Sequence, residues 1–135
     1  MNVKHLDHFV MTVLDIDKTV AFYTEIMGME LIVFGKNRKA LKFGNQKINL
    51  HQKGKEFEPK ALYPTVAALD LCFIVADKME DIVAELELKK IEIIEGIVER
   101  TGALGKIQSI YFRDPDGNLI ELSNYEKGEN GSINP

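Results

Sequence analysis

Asp7-His8-Phe9-Val10-Met11-Thr12-Val13-Leu14-Asp15 lies without a gap over Leu69-Asp70-Leu71-Cys72-Phe73-Ile74-Val75-Ala76-Asp77. In the first copy Phe9, Met11 and Val13 alternate with His8, Val10 and Thr12, which is the two-residue period of a strand over residues 6–13. A helix follows. Asp15 or Asp17 can cap its start, Val20, Phe22, Tyr23, Ile26 and Met27 form its apolar stripe, and Gly28 can end it. Strands are predicted next over 29–34, 39–43 and 47–52, with Gly44-Asn45 as a tight turn between the last two.

The same order recurs after the second copy. A strand over 68–75 leads to a helix from about 77 to 89 and then to strands over 91–98, 107–113 and 118–123. The module endings also align, Ile48-Asn49-Leu50-His51 lying over Asn118-Leu119-Ile120-Glu121. The expected fold is therefore α+β, built from two βαβββ modules. Module one covers 1–53, a connector with Gly54, Pro59 and Pro64 covers 54–67, and module two covers 68–125. So short a module cannot bury enough apolar area alone. The two sheets are expected to pair within one domain over 1–125 as a cupped, open, barrel-like sheet, with helices outside and polar residues around a pocket. The polar tail over 126–135 is expected to be flexible.

Composition narrows the function classes. Of the 135 residues, 45% are hydrophobic and 28% charged, as in an ordinary globular domain, and no run approaches the roughly 20 apolar residues of a membrane span. The first eight residues lack the apolar region of a secretory signal, so the expected compartment is the cytoplasm. Net charge is -4 and the nearest basic cluster is Lys36-Asn37-Arg38-Lys39, which speaks against a nucleic-acid surface. The single cysteine, Cys72, cannot form an internal disulfide, and its setting in Leu71-Cys72-Phe73-Ile74-Val75 predicts a buried strand thiol.

Four residues at strand positions could meet at a pocket. His8 alternates with the apolar face of its strand, His51 alternates with Ile48 and Leu50, and Asp70 and Glu121 hold the aligned places in the second module. Two imidazoles and two carboxylates suit Zn, Ni, Co, Mn or Fe, with coordination positions left for water or substrate. Glu121 is the most telling, because a carboxylate inside Asn118-Leu119-Ile120-Glu121-Leu122 needs a cation or hydrogen-bond donors to offset its desolvation. His5, near the chain end, is assigned to the surface.

The chain resembles the vicinal oxygen chelate superfamily, also called the glyoxalase/bleomycin resistance/dioxygenase family. The likeness rests on Leu6-Asp7-His8-Phe9, on Asp15, Phe22-Tyr23, Gly28 and Met29-Glu30-Leu31, and above all on the run from Ser109 to Leu122, with its turn Asp114-Pro115-Asp116-Gly117. Within the family it most resembles the group around glyoxalase domain-containing protein 5, through Asn49-Leu50-His51-Gln52, Gly54-Lys55-Glu56-Phe57, Asp70-Leu71-Cys72-Phe73 and Arg100-Thr101-Gly102-Ala103.

The resemblance implies a divalent metal held by His8, His51, Asp70 and Glu121, with Glu121 or Asp70 as the catalytic base. It further implies a homodimer acting on a small oxygen-rich metabolite, as a lyase or isomerase. Ser109 and Tyr111, which share a strand face, and Arg100, beside a glycine-containing loop, are the candidate substrate contacts. Two alternatives stand beside that reading. One is an Fe-dependent extradiol-type dioxygenase using His8, His51 and Glu121; the other is a drug- or metabolite-binding resistance module without turnover.

Overall fold

The computed structural model describes residues 1–125. The expected flexible tail lies outside them. Two compact units divide between Ala68 and Leu69, so the connector belongs with the first. The order is β1 (His8–Val13), α1 (Ile16–Glu25), β2 (Glu30–Phe34), β3 (Arg38–Phe43), β4 (Gln46–Gln52), β5 (Asp70–Ile74), α2 (Met79–Leu88), β6 (Glu95–Gly102), β7 (Gly105–Arg113) and β8 (Leu119–Tyr125). This is the expected pair of βαβββ modules in an α+β fold. Each forms an open four-stranded sheet, in the orders β1-β4-β3-β2 and β5-β8-β7-β6. Among the described residues no helix is long and apolar enough to cross a membrane.

In the first unit β1 runs parallel to β4, pairing Phe9 with Ile48 and Met11 with Leu50, while β3 sets Leu41 against Ile48. These side chains share one sheet face, and Met11, Val13, Leu41, Ile48 and Leu50 are buried there with Tyr23 of α1. The helix begins where Asp15 Oδ1 accepts the Lys18 N–H at 3.1 Å. It ends as Met29 N–H donates to the Tyr23 carbonyl across Gly28, whose φ of 68° suits a residue without a side chain.

The second unit repeats the plan. β5 runs parallel to β8, and Ile110, Phe112, Ile120 and Leu122 pack with Met79, Ile82 and Leu86 of α2. One strand departs from expectation: β6 covers Glu95–Gly102 rather than 91–98. Apolar spacing at Ile91, Ile93 and Ile94 resembles a strand, but the chain first turns out of α2 through Lys90 at φ 61°, and Ile91 N–H still bonds to the helical Leu86 carbonyl.

The turn into β8 is held by Asp114. Its Oδ1 accepts the backbone N–H groups of Asp116, Gly117 and Asn118 at 3.0, 3.0 and 2.9 Å, and its Oδ2 accepts Asn118 Nδ2 at 2.8 Å. Asn118 in turn accepts the Leu69 N–H at 3.0 Å, which ties the turn to the entry of β5. Both side chains are buried, so the donors have no water to fall back on. Replacing Asp114 by Ala is expected to cost about 3 kcal/mol. A urea midpoint that falls with an unchanged slope would show this, and an unchanged midpoint would contradict it.

Candidate active site

Strand register sorts the candidate residues into rows across each sheet, because directly paired residues point to the same side. On the face of β5 and β8 turned away from α2, Asp70 pairs with Leu119, Cys72 with Glu121 and Ile74 with Ser123. β7 extends the rows by pairing Tyr111 with Glu121 and Ser109 with Ser123, and β6 adds Glu95 beside Tyr111. A cavity of about 380 Å³ opens here, and its lining includes Cys72, Arg100, Gly102, Tyr111, Glu121 and Tyr125.

Glu121 is fixed from below. Its Oε2 accepts Ser109 Oγ at 2.6 Å and Ser123 Oγ at 3.3 Å. The two serine oxygens are 2.7 Å apart, and Cys72 Sγ lies 3.3 Å from Ser123 Oγ. Both hydroxyls act on the same oxygen, and the carboxylate also meets the Tyr111 phenol at the cavity wall. Ser109, expected to touch substrate, is corrected by this arrangement: it is wholly buried, and its hydroxyl orients the carboxylate instead. Ser123 was missed in the sequence, although it sits two residues beyond Glu121 on the same face.

Above the carboxylate, Arg100 Nε donates to Tyr111 Oη at 3.0 Å, and its NH2 group reaches Glu95 at 3.3 Å. Burial pushes the Tyr111 phenol above its ordinary pKa and Glu121 pushes it further, against the opposing pull of Arg100. Tyr111 therefore keeps its proton at neutral pH as a donor. The rim is the hairpin between β6 and β7, where Tyr125 Oη accepts the Leu104 N–H at 3.0 Å. A methyl group at Gly102 would stand 2.8 Å from Tyr125 Oη, so this glycine is what lets the ring through. The structure thus unites Glu121, Tyr111 and Arg100 at one cavity. Asp70 lies exposed one row away.

In the first unit His8 and His51 share a face but not a place. His8 pairs with Lys47, whereas His51 pairs with Thr12. Four residues separate the two rows, about 13 Å along a strand. A shared ion on both imidazoles is accordingly corrected. The sequence match of the module ends sets His51 over Glu121, but Cys72, the partner of Glu121, corresponds to Val10, and Val10 pairs with Asn49. Asn49 is thus the counterpart of Glu121, and His51 that of Ser123. Among the described residues no three His, Cys, Asp or Glu side chains converge to hold a metal.

The two histidines also differ in chemistry. His8 is half-exposed, and its Nδ1 meets Asp7 Oδ2 at 2.8 Å, which leaves Nε2 outward as in carboxylate-oriented metal ligands. His51 is 2% exposed and edge-on to Phe57 with ring centroids 5.5 Å apart. Burial, then the charge of Arg38, lowers its pKa, so the ring is neutral at pH 7.

Cys72 corrects another expectation, being exposed on the cavity face rather than buried, because β5 turns Leu71 and Phe73 toward the helix side. Even so, the flank of its sulfur against Ser123 is dehydrated, and this raises the thiol pKa, with Glu121 and Asp70 adding to the rise. A raised pKa means less thiolate at pH 8. Iodoacetamide should alkylate Cys72 more slowly than free cysteine at that pH, and faster in Glu121→Gln than in the parent. Equal rates in parent and variant would contradict the placement of Cys72 beside the carboxylate.

Residues 5–122 match the family described as the Glyoxalase/Bleomycin resistance protein/Dioxygenase superfamily. The chain is 57% identical over 126 residues to glyoxalase domain-containing protein RDO1 of Mycosarcoma maydis, covering 93% of this chain and 71% of that one. It is 56% identical to virulence protein STM3117 of Salmonella typhimurium, covering 93% of this chain and 87% of that protein. The crystal structure of STM3117 superposes with a TM-score of 0.92 over 93% of this chain and 100% of the other. Metallothiol transferase FosB of Staphylococcus epidermidis is 28% identical over 123 residues, covering 89% of this chain and 83% of that protein. The chain belongs to the Glyoxalase/Bleomycin resistance protein/Dioxygenase superfamily.

Proposed function

We propose that this protein is a metal-dependent lyase or isomerase that moves a proton on a small, oxygen-rich metabolite, with Glu121 as its base. The observation that carries the reading is the Glu121 carboxylate, clamped at Oε2 by Ser109 and Ser123 in the lining of a cavity beside Tyr111 and Arg100. A base held in one orientation loses little freedom when it takes a proton. Tyr111 donates to the substrate oxygen on which negative charge grows, and Arg100 holds Tyr111 in place. Asp70 is the alternative base.

A divalent metal, when bound, supplies Lewis-acid polarisation of neighbouring substrate oxygens. Its proposed donors are Asp70 and Glu121 on one face of the second unit and His8 Nε2 in the first, and Glu121 would act as base only with its carboxylate released from the ion. The name of the staphylococcal relative, metallothiol transferase, supports a metal in general. The dioxygenase alternative has less support, because its two-histidine set required His8 and His51 on one ion, and their register keeps them apart. Membership of the family supports a homodimer as part of the same proposal.

Protein purified without chelators and assayed for metal should lose its ion in His8→Ala and Glu121→Ala and keep it in His51→Ala, with circular dichroism confirming the fold. With a thiol adduct of a ketoaldehyde as the first substrate tried, Glu121→Gln should lower kcat by about a hundredfold or more. Full metal content in the His8→Ala, Glu121→Ala double variant would overturn the ligand set. Ligand binding without turnover under Zn, Ni, Co, Mn and Fe would favour a sequestering module.

A further inference from the structure

The first unit carries a second group of side chains that the Glu121 site does not use. On the face of its sheet turned away from α1, Thr12 of β1 pairs with His51 of β4, and Arg38 of β3 pairs with Phe34 of β2. Lys39 opposes Leu50, so Arg38 stands one step further along, in the row of His51. Asn49 occupies the next row on the same face, about 7 Å from His51 along the strand. Phe57, from the connector, covers His51 and Arg38 together.

Two features of this cluster ask for a ligand. Asn49 Oδ1 and His51 Nε2 are buried without a hydrogen-bond partner, in residues 7% and 2% exposed. Such atoms cost stability unless something satisfies them. The Arg38 guanidinium lies 5.2 Å from the Phe34 ring centre and 4.6 Å from that of Phe57, and among the described residues no carboxylate pairs with it. Its flat faces meet aromatic rings while the N–H donors at its edge stay available. The surrounding charges are mixed. Lys47 Nζ sits 3.9 Å over the Phe34 ring, Lys60 and Glu56 act on His51, and Glu56 is held by the Gly54 N–H at 2.8 Å.

We propose that this face of the first unit binds a small hydroxycarboxylate, its carboxylate taken by the edge of Arg38 and by His51 Nε2, and its hydroxyl donating to Asn49 Oδ1. The charge of Arg38 selects an anion, and its fork matches the two oxygens of a carboxylate. Neutral His51 donates from Nε2 in one tautomer. Asn49 Oδ1 can only accept, so the ligand must bring a donor of its own. Arg38, Asn49 and His51 are not among the residues lining the Glu121 cavity, so loss of malate binding in Arg38→Met and loss of turnover in Glu121→Gln report on the two readings separately.

The test is an NMR titration of the full chain, freed of metal by a chelator that is then removed, following the His51 ring and Asn49 amide signals. L-Malate, succinate and inorganic phosphate are the probes. Malate is expected to shift both signals and to bind about fivefold more tightly than succinate, the difference vanishing in Asn49→Ala. Arg38→Met should weaken malate about tenfold or more, and Arg38→Lys, which keeps charge and stem, should weaken it less. Glu121→Gln should bind malate as the parent does. Phosphate or succinate binding as tightly as malate, shifts that spare His51, or undiminished malate binding in folded Arg38→Met or Arg38→Lys would each overturn the proposal.

Discussion

The parallel pairing of β5 with β8 decides what surrounds Glu121. Parallel strands allow no slip by one residue without turning every side chain to the wrong face, and a slip by two would bring a different row to the carboxylate. With Cys72 beside Glu121 and Ile74 beside Ser123, the two hydroxyls of Ser109 and Ser123 fall beneath one carboxylate oxygen. The Asp114 cradle and its link through Asn118 to Leu69 hold this register at the point where both strands begin. The turn sequence therefore acts on the chemistry at a distance, by deciding which residue of β8 meets which of β5.

Energetics explains why the cavity can keep a carboxylate on an otherwise apolar strand. Ile120 and Leu122 alternate with Glu121 and drive the sheet onto α2, so the strand is retained for its burial. Glu121 itself stands on the opposite face, with one short and one longer hydroxyl contact to offset part of its desolvation. A carboxylate anchored at one oxygen by two hydroxyls is held in a single orientation, as suits a base. In the first unit the corresponding position holds Asn49, a neutral amide, and there the face is organised around Arg38 and two aromatic rings instead.

The modules were legible in the sequence because each element carries its own local signal. Asp15 caps α1 and Gly28 ends it as their chemistry requires, and Phe9, Met11 and Val13 show the face of β1 without any knowledge of its partners. Glu121 stood out for the same reason, as a charge set among Leu119, Ile120 and Leu122. Register between parallel strands has no such local signal, since β1 and β4 are brought together across a helix and two further strands. That is why the sequence matches His51 to Glu121 when Asn49 is its counterpart, and why it offers Ser109 as a substrate contact. Cys72 was misread because its strand is apolar on one face only, and β6 because the spacing of Ile91, Ile93 and Ile94 imitates a strand while the chain is still leaving α2.

The proposed chemistry gathers at the Glu121 carboxylate rather than at the buried imidazole of His51. Anomalous-difference maps from crystals soaked in Mn(II) test it most directly. A peak bonded to the Glu121 carboxylate is expected, with nothing at His51. A peak within bonding distance of His51 Nε2, with Glu121 bare, would contradict it.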